Sequence, residues 1–316
     1  MHARLVLVQR QREMIRAAAF VLLPTSLVHL GQPLVGLRIP SPPLAVTVPP
    51  ALDPEITELV SVLQAQMTEH MERKPHEPFV TLTYAQALDG SIAGPSGASG
   101  PRLILSGDRA MTMTHALRAA HDAILVGIGT VISDDPKLTV RLVSGPSPLR
   151  VILDSRLRLP ADAQLLQQPS NCVQSSAAGR PHTIIVTLEA ATSGLQAQRR
   201  VHALRDAGVD VLAVATDAHG RPCLRSVLTQ LRTCYGVRSI MIEGGATIIA
   251  SCISAMAAHR VVVTLAPRTL VNGLRPGTTL AGGMPCTATS TALRRVDAFC
   301  LDDDVIISGE GPAVSE

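Results

Sequence analysis

The stretch Ala123-Ile124-Leu125-Val126-Gly127-Ile128-Gly129-Thr130 constrains this chain most, because an uninterrupted apolar run opens abruptly into two glycines and a hydroxyl. Such a run reads as a strand buried on both faces. Ser133-Asp134-Asp135-Pro136 follows it, and strand ends of this kind bring amides and polar side chains into a ligand cleft. A second exit lies further on, where Ser239-Ile240-Met241-Ile242 runs into Glu243-Gly244-Gly245-Ala246-Thr247. Two glycine-bearing exits in one chain predict a nucleotide-using α/β enzyme.

The remaining periodicity agrees. Asp53 as N-cap, Pro54 at the first helical position and Ile56, Leu59, Val60, Leu63 and Met67 on one face predict a helix ending before Pro75. A strand at 79–84, a turn at Leu88-Asp89-Gly90, a short strand at 91–93 and a brief one at 103–105 are expected next. An amphipathic helix between Gly107 and His121 then leads into the strand at 123. Strands at 149–153, 183–187, 209–214, 238–242 and 260–265 alternate with helices at 195–207, 225–235 and 247–256, which argues for a largely parallel sheet covered on both faces. The segments 298–301 and 304–308 read as antiparallel strands. Residues 1–50 read as an arginine-rich, apolar extension, either poorly ordered or adding a strand and turn to the main domain, with organellar targeting as the alternative to a cytoplasmic protein. Residues 51–316 read as one domain with a loop insertion near 161–181, which has little reason to pack.

Composition removes several classes. With no Trp, two Tyr and three Phe, the core falls to Leu, Val, Ile and Ala, and aromatic platforms for single-stranded nucleic acid are lacking. The net charge of +3 is local: residues 1–50 hold five arginines and one glutamate, while the rest holds 23 basic and 24 acidic residues. The body therefore offers no face for nucleic acid. The apolar run 17–30, interrupted by Pro24, is too short to span a membrane, which takes about 20 residues. Six cysteines form no CxxC pair. His70-Met71-Glu72 starts like a zinc deaminase signature but no P-C-x-x-C follows, so no metal is expected. His115, His121 and His259 are expected at the surface of helices.

Thr130 after Gly129 offers a hydroxyl to a phosphate or sugar oxygen, and Asp134 offers an acceptor to a ribose or amide. Gly244 and Gly245 allow a sharp turn that presents amides to an anion at the next helix start, beside the carboxylate of Glu243. Neither glycine pair completes G-x-G-x-x-G, so a standard Rossmann domain is not expected. Arg141, Arg156 and Lys137 stand near strand ends, where a guanidinium pairs with phosphate. With Asp154 they outline a cleft. Asp89 reads equally as a turn residue or a substrate contact.

In order along the chain, Pro78-Phe79-Val80-Thr81-Leu82-Thr83-Tyr84-Ala85-Gln86-Ala87-Leu88-Asp89-Gly90, Met113-Thr114-His115, Asp122 through Pro136, Leu138-Thr139-Val140-Arg141, Arg150-Val151-Ile152-Leu153-Asp154-Ser155 and Glu243-Gly244-Gly245-Ala246 resemble the riboflavin-biosynthesis reductases. The resemblance is to the stand-alone fungal and archaeal type, itself similar to the reductase half of the bacterial bifunctional deaminase–reductase, and covers roughly residues 53–309. It implies a dihydrofolate-reductase-like fold, a mixed and mostly parallel sheet flanked by helices, usually as a homodimer. It implies NADPH-dependent reduction of 2,5-diamino-6-(ribosylamino)-4(3H)-pyrimidinone 5′-phosphate. It places Thr130, Asp134, Glu243, Gly244, Gly245 and Ala246 at the cofactor. It places Asp89, Leu138, Arg141, Asp154, Ser155 and Arg156 at the phosphorylated substrate; the acid for ring opening is left open among Asp89, Glu243, water and the substrate's own phosphate. A pteridine or folate reductase, and a nucleotide-binding protein without catalysis, are the competing readings.

Overall fold

The computed structural model describes residues 52–93, 103–167, 182–270 and 292–311. The described residues all belong to one unit, Pro49–Glu316. The expected extension at 1–50, most of the insertion and the loop at 94–100 lie outside the described residues.

The first helix, α1 (Pro54–Arg73), begins as its sequence predicts: the Asp53 carboxylate accepts the Glu55 N–H at 3.2 Å and Pro54 needs no acceptor. The order continues β1 (Phe79–Ala87), α2 (Asp108–Ala120), β2 (Ala123–Gly127), α3 (Ile128–Asp134), β3 (Leu149–Leu153), β4 (Thr183–Leu188), α4 (Leu195–Asp206), β5 (Val209–Val214), α5 (Leu224–Tyr235), β6 (Ser239–Glu243), α6 (Ala246–Ser254), β7 (Arg260–Ala266), β8 (Arg294–Leu301) and β9 (Asp304–Glu310). These strands form one sheet in the order β5-β4-β3-β2-β6-β1-β7-β9-β8. The pairings among β1 to β7 are parallel, while β9 runs antiparallel to β7 and β8. The expected mixed, mostly parallel sheet flanked by helices is what the chain forms.

Alternation along each strand divides the core. Leu125 and Ile242 face α5 and α6 with Val80, Leu82 and Val151. Ile124 and Val126 point the other way, onto α3 and the 157–165 segment, while Met241 meets α1 and α2. Strand β6 is inserted between β2 and β1, so successive crossovers diverge there. In open sheets a crevice forms outside the carboxyl ends of the strands at such a switch point.

Three expectations are corrected, and one element is added. Residues 103–105 are not a strand: Leu103 and Ile104 are exposed and only Leu105 is buried. Ser91 and Ile92 do not start one either, because Gly90 N–H bonds Ala87 O and Ala87 N–H bonds Ser91 O, closing a tight turn. Residues 128–134, for which the sequence predicts no element, form a helix, α3, that starts directly after Gly127 and turns Ile128 and Val131 into the core. Finally, 161–167 does pack: a 3₁₀ turn at Gln164–Leu166 buries Leu165, and the Asp135 carboxylate accepts the Gln164 N–H at 2.8 Å.

Candidate active site

The carboxyl ends of β2, β3 and β6 share one rim. Gly127 pairs with Leu153 in register, so the turn after β3 stands beside the start of α3. Leu125 pairs with Ile242, which puts Glu243 and the start of α6 on the other side. Both helices begin after a glycine that provides no side-chain cap, Gly127 and Gly245. The first amides of a helix have no intrahelical acceptor, so an uncapped start leaves donors for an anion. Gly244 and Gly245 have φ of +75° and +82°, a region that L-residues rarely occupy. A Cβ on Gly245 would stand 3.1 Å from Thr130 Oγ1, and one on Gly127 3.0 Å from Ile248 Cγ1, so the two helix starts close on each other. Thr130, Gly244, Gly245 and Ala246 are thus brought together. Asp134 is at the far end of α3, accepting the Ser133 hydroxyl at 2.8 Å.

On the opposite face of the rim, Glu243 is engaged by Arg118 of α2. Arg118 Nε donates to one carboxylate oxygen at 2.8 Å and Nη2 to the other at 2.5 Å. Its Nη1 donates to the Thr139 carbonyl at 3.2 Å. Three residues earlier on α2, His115 Nδ1 accepts the Arg141 N–H at 3.0 Å. Burial, then the cations of Arg118 and Arg141, lower the His115 pKa to about 4 against the opposing pull of Glu243. The sequence gives Arg118 no role, and it offers His115 only as part of a family-like motif on a helix surface. They look like surface positions beside Leu117 and Met113, and become buried because the 138–141 segment crosses α2.

The other expected residues separate. Asp154 is fully buried: its carboxylate accepts the Leu159 N–H at 2.9 Å and the Arg156 N–H at 3.4 Å. It holds the turn and has no surface left for a ligand. Leu138 is a core residue at φ +53°. Ser155 is half-buried on the turn, and Arg141 and Arg156 are exposed. Neither guanidinium makes an ion pair among the described residues. Asp89 lies on the β1–β7 side, accepting the Ser91 hydroxyl at 2.6 Å and the Leu270 N–H at 3.3 Å.

The three histidines are not surface residues of helices. His115 and His121 are buried, and His259 accepts the Val80 N–H at Nδ1, 3.0 Å away. That bond decides a cluster of ligand-type groups, His70, Glu77 and His259. With Nδ1 of His259 accepting, its proton is on Nε2, and His70 Nε2 donates to the Glu77 carbonyl. A metal on His259 would have to displace its bond to the Val80 N–H. A groove of about 690 Å³ between α1, α2 and residues 142–146 includes no strand-exit residue. No helix among the described residues is long and apolar enough to cross a membrane.

Residues 78–307 match the model of the RibD C-terminal domain family. The chain is 34% identical over 183 residues to the 2,5-diamino-6-ribosylamino-4(3H)-pyrimidinone 5′-phosphate reductase of Candida glabrata, covering 54% of this chain and 67% of that one. It is 30% identical to the protein of the same name from Methanothermobacter thermautotrophicus, covering 73% of this chain and 96% of that one. Among solved structures, Acinetobacter baumannii RibD superposes with a TM-score of 0.60 at 25% identity, over 78% of this chain and 61% of RibD. The chain thus spans about three fifths of the bacterial protein and nearly the whole archaeal one. A family match over most of the chain, on a fold whose rim is built from these strand exits, makes this protein a member of the RibD C-terminal domain family.

Proposed function

We propose that the chain reduces 2,5-diamino-6-(ribosylamino)-4(3H)-pyrimidinone 5′-phosphate to its 6-(ribitylamino) counterpart with NADPH, a step of riboflavin biosynthesis. The names of the fungal and archaeal relatives support the substrate. One observation carries the site: an uncapped, glycine-led helix start and an arginine-held carboxylate flank the end of the same strand, β6.

The amides of Ala246 and Thr247, with Thr130, would hold the cofactor's phosphates, and Asp134 would accept from its sugar. When bound, the nicotinamide supplies hydride to C1′ of the ring-opened ribose imine. The chain's own work is alignment. Arg118 takes both oxygens of Glu243, which leaves Glu243 an acceptor for substrate hydroxyl or amine protons and no proton donor. Proton donation for ring opening then falls to Asp89, to water or to the substrate's own phosphate. Arg141 and Arg156 bind the 5′-phosphate, with Ser155 beside them, while Asp154 and Leu138 shape the segments that carry these residues. A cytoplasmic homodimer, with residues 51–316 as the reductase domain, completes the reading on family resemblance.

The test follows NADPH absorbance with the ribosylamino phosphate and with dihydrofolate. Oxidation only with the phosphate is expected; oxidation only with dihydrofolate rejects the reading.

A further inference from the structure

A buried ring stands behind the exposed cation of Arg141. His115 is enclosed completely on α2, and because Nδ1 accepts the Arg141 N–H, the proton of the neutral ring is on Nε2. That N–H is buried with no acceptor. An aliphatic side chain would fill comparable volume without stranding a donor, so packing does not account for an imidazole at this position. The acceptor at Nδ1 does.

The segment it holds starts strained. Leu138 has φ +53°, a conformation that persists only where the surroundings impose it. Two residues of α2 hold the residues that follow it: Arg118 at the Thr139 carbonyl and His115 at the Arg141 amide. On its other side the segment is tied to the Ser147 hydroxyl through Val140 N–H at 3.0 Å. Arg141 therefore projects from a main chain fixed at consecutive residues. Burial between Arg118 and Arg141 keeps the ring neutral and its acceptor open.

We infer that His115 is a positioning residue for anion recognition, fixing the main chain from which Arg141 reaches the substrate's 5′-phosphate. The inference rests on the proposed reductase activity for the substrate, and on the Nδ1 bond for the role.

His115→Leu removes the acceptor, and His115→Asn restores one through Oδ1. For the ribosylamino phosphate, His115→Leu is expected to raise KM about tenfold with kcat within about threefold, and His115→Asn to stay within about threefold of the parent in both. NADPH affinity is expected to be unchanged. Titration of the cofactor-free protein with ribose 5-phosphate reads the same role without turnover: affinity falls about tenfold in the leucine variant and returns with asparagine. A parent protein that binds ribose 5-phosphate but fails to reduce the pyrimidine removes the substrate reading alone, and the titration then decides the role of His115. Parent-like KM and affinity in the leucine variant, or a defect that asparagine does not restore, overturns the inference. So does a lower melting temperature with both constants unchanged, or a parent protein that neither reduces the pyrimidine nor binds ribose 5-phosphate.

Discussion

Thr130 Oγ1 lies only 3.1 Å from where a Cβ on Gly245 would stand, so the starts of α3 and α6 approach as closely as a glycine permits. Gly245→Ala adds both this contact and an unfavourable φ, with a strain of about 1–2 kcal/mol. We expect weaker NADPH binding by fluorescence titration. Gly244→Ala carries the φ penalty alone, since a Cβ there meets nothing within 4 Å, and should be the milder of the two. Equal affinity in the Gly245 variant and the parent would remove this turn from the cofactor site.

The Arg118–Glu243 pair needs the forked geometry as well as the charge. Arg118→Lys keeps a cation but cannot serve both oxygens and the Thr139 carbonyl. Because Glu243 is partly exposed, solvent screens the pair, and a loss of roughly 1–3 kcal/mol in stability is expected from Glu243→Gln. In both variants kcat/KM should fall by more than the folded fraction. Activity that simply tracks the folded fraction would make the pair structural.

Asp154 and Arg156 are neighbours with opposite signatures. Asp154→Asn replaces a buried acceptor of two amides, and should lower stability by about 1–3 kcal/mol in chemical denaturation. Arg156→Ala changes an exposed side chain; its melting temperature should hold while substrate KM rises. An Arg156 variant with normal KM would take that residue out of the phosphate site.

Asp134 and Asp135 should divide in the same way. The Asp135 carboxylate accepts the Gln164 N–H at 2.8 Å and its side-chain amide at 3.0 Å, so Asp135→Ala should loosen 161–166 and lower the melting temperature. Asp134→Ala should weaken NADPH binding by about 1.5–3 kcal/mol, the value of a hydrogen bond to a charged group. Unchanged affinity in calorimetry would reject that role.

His121 sets an acid limit on stability. It is buried, Nδ1–H donates to the Leu117 carbonyl at 2.6 Å, and Nε2 accepts the Thr81 hydroxyl at 2.8 Å. Burial lowers its pKa to about 4. An unfolded histidine titrates near about 6.5, so the unfolded state takes up the proton first. The contribution is complete above about pH 6.5 and is lost as pH falls toward about 4, with a slope approaching about 1.4 kcal/mol per pH unit. Urea midpoints between pH 7 and 4.5 should fall in the parent and fall less steeply in His121→Gln. Parallel curves would exclude this histidine as a source of the acid sensitivity.

Much of the fold was legible because local rules and the tertiary result coincide. The Asp53 cap, Pro54 and the Ile56-Leu59-Leu63 stripe suffice to start and orient α1. The run Ile124-Leu125-Val126 needs cover on both faces wherever it lies, and a parallel sheet supplies that cover. Leu103-Ile104-Leu105 has the same local character and forms no strand, because strand formation requires a neighbour with free hydrogen-bonding groups.

The sequence by itself determined the strand exits, since glycines at positive φ and a hydroxyl beside them are local requirements that Gly244, Gly245 and Thr130 meet wherever the strands end. Only the tertiary structure decided which charges face the rim. Arg118 and Glu243 are 125 residues apart in the chain and meet because β6 slots between β2 and β1. Asp154, which reads as a ligand contact, is enclosed by the turn it organises. Burial of a polar side chain depends on what crosses over it, and no periodicity within one element carries that information.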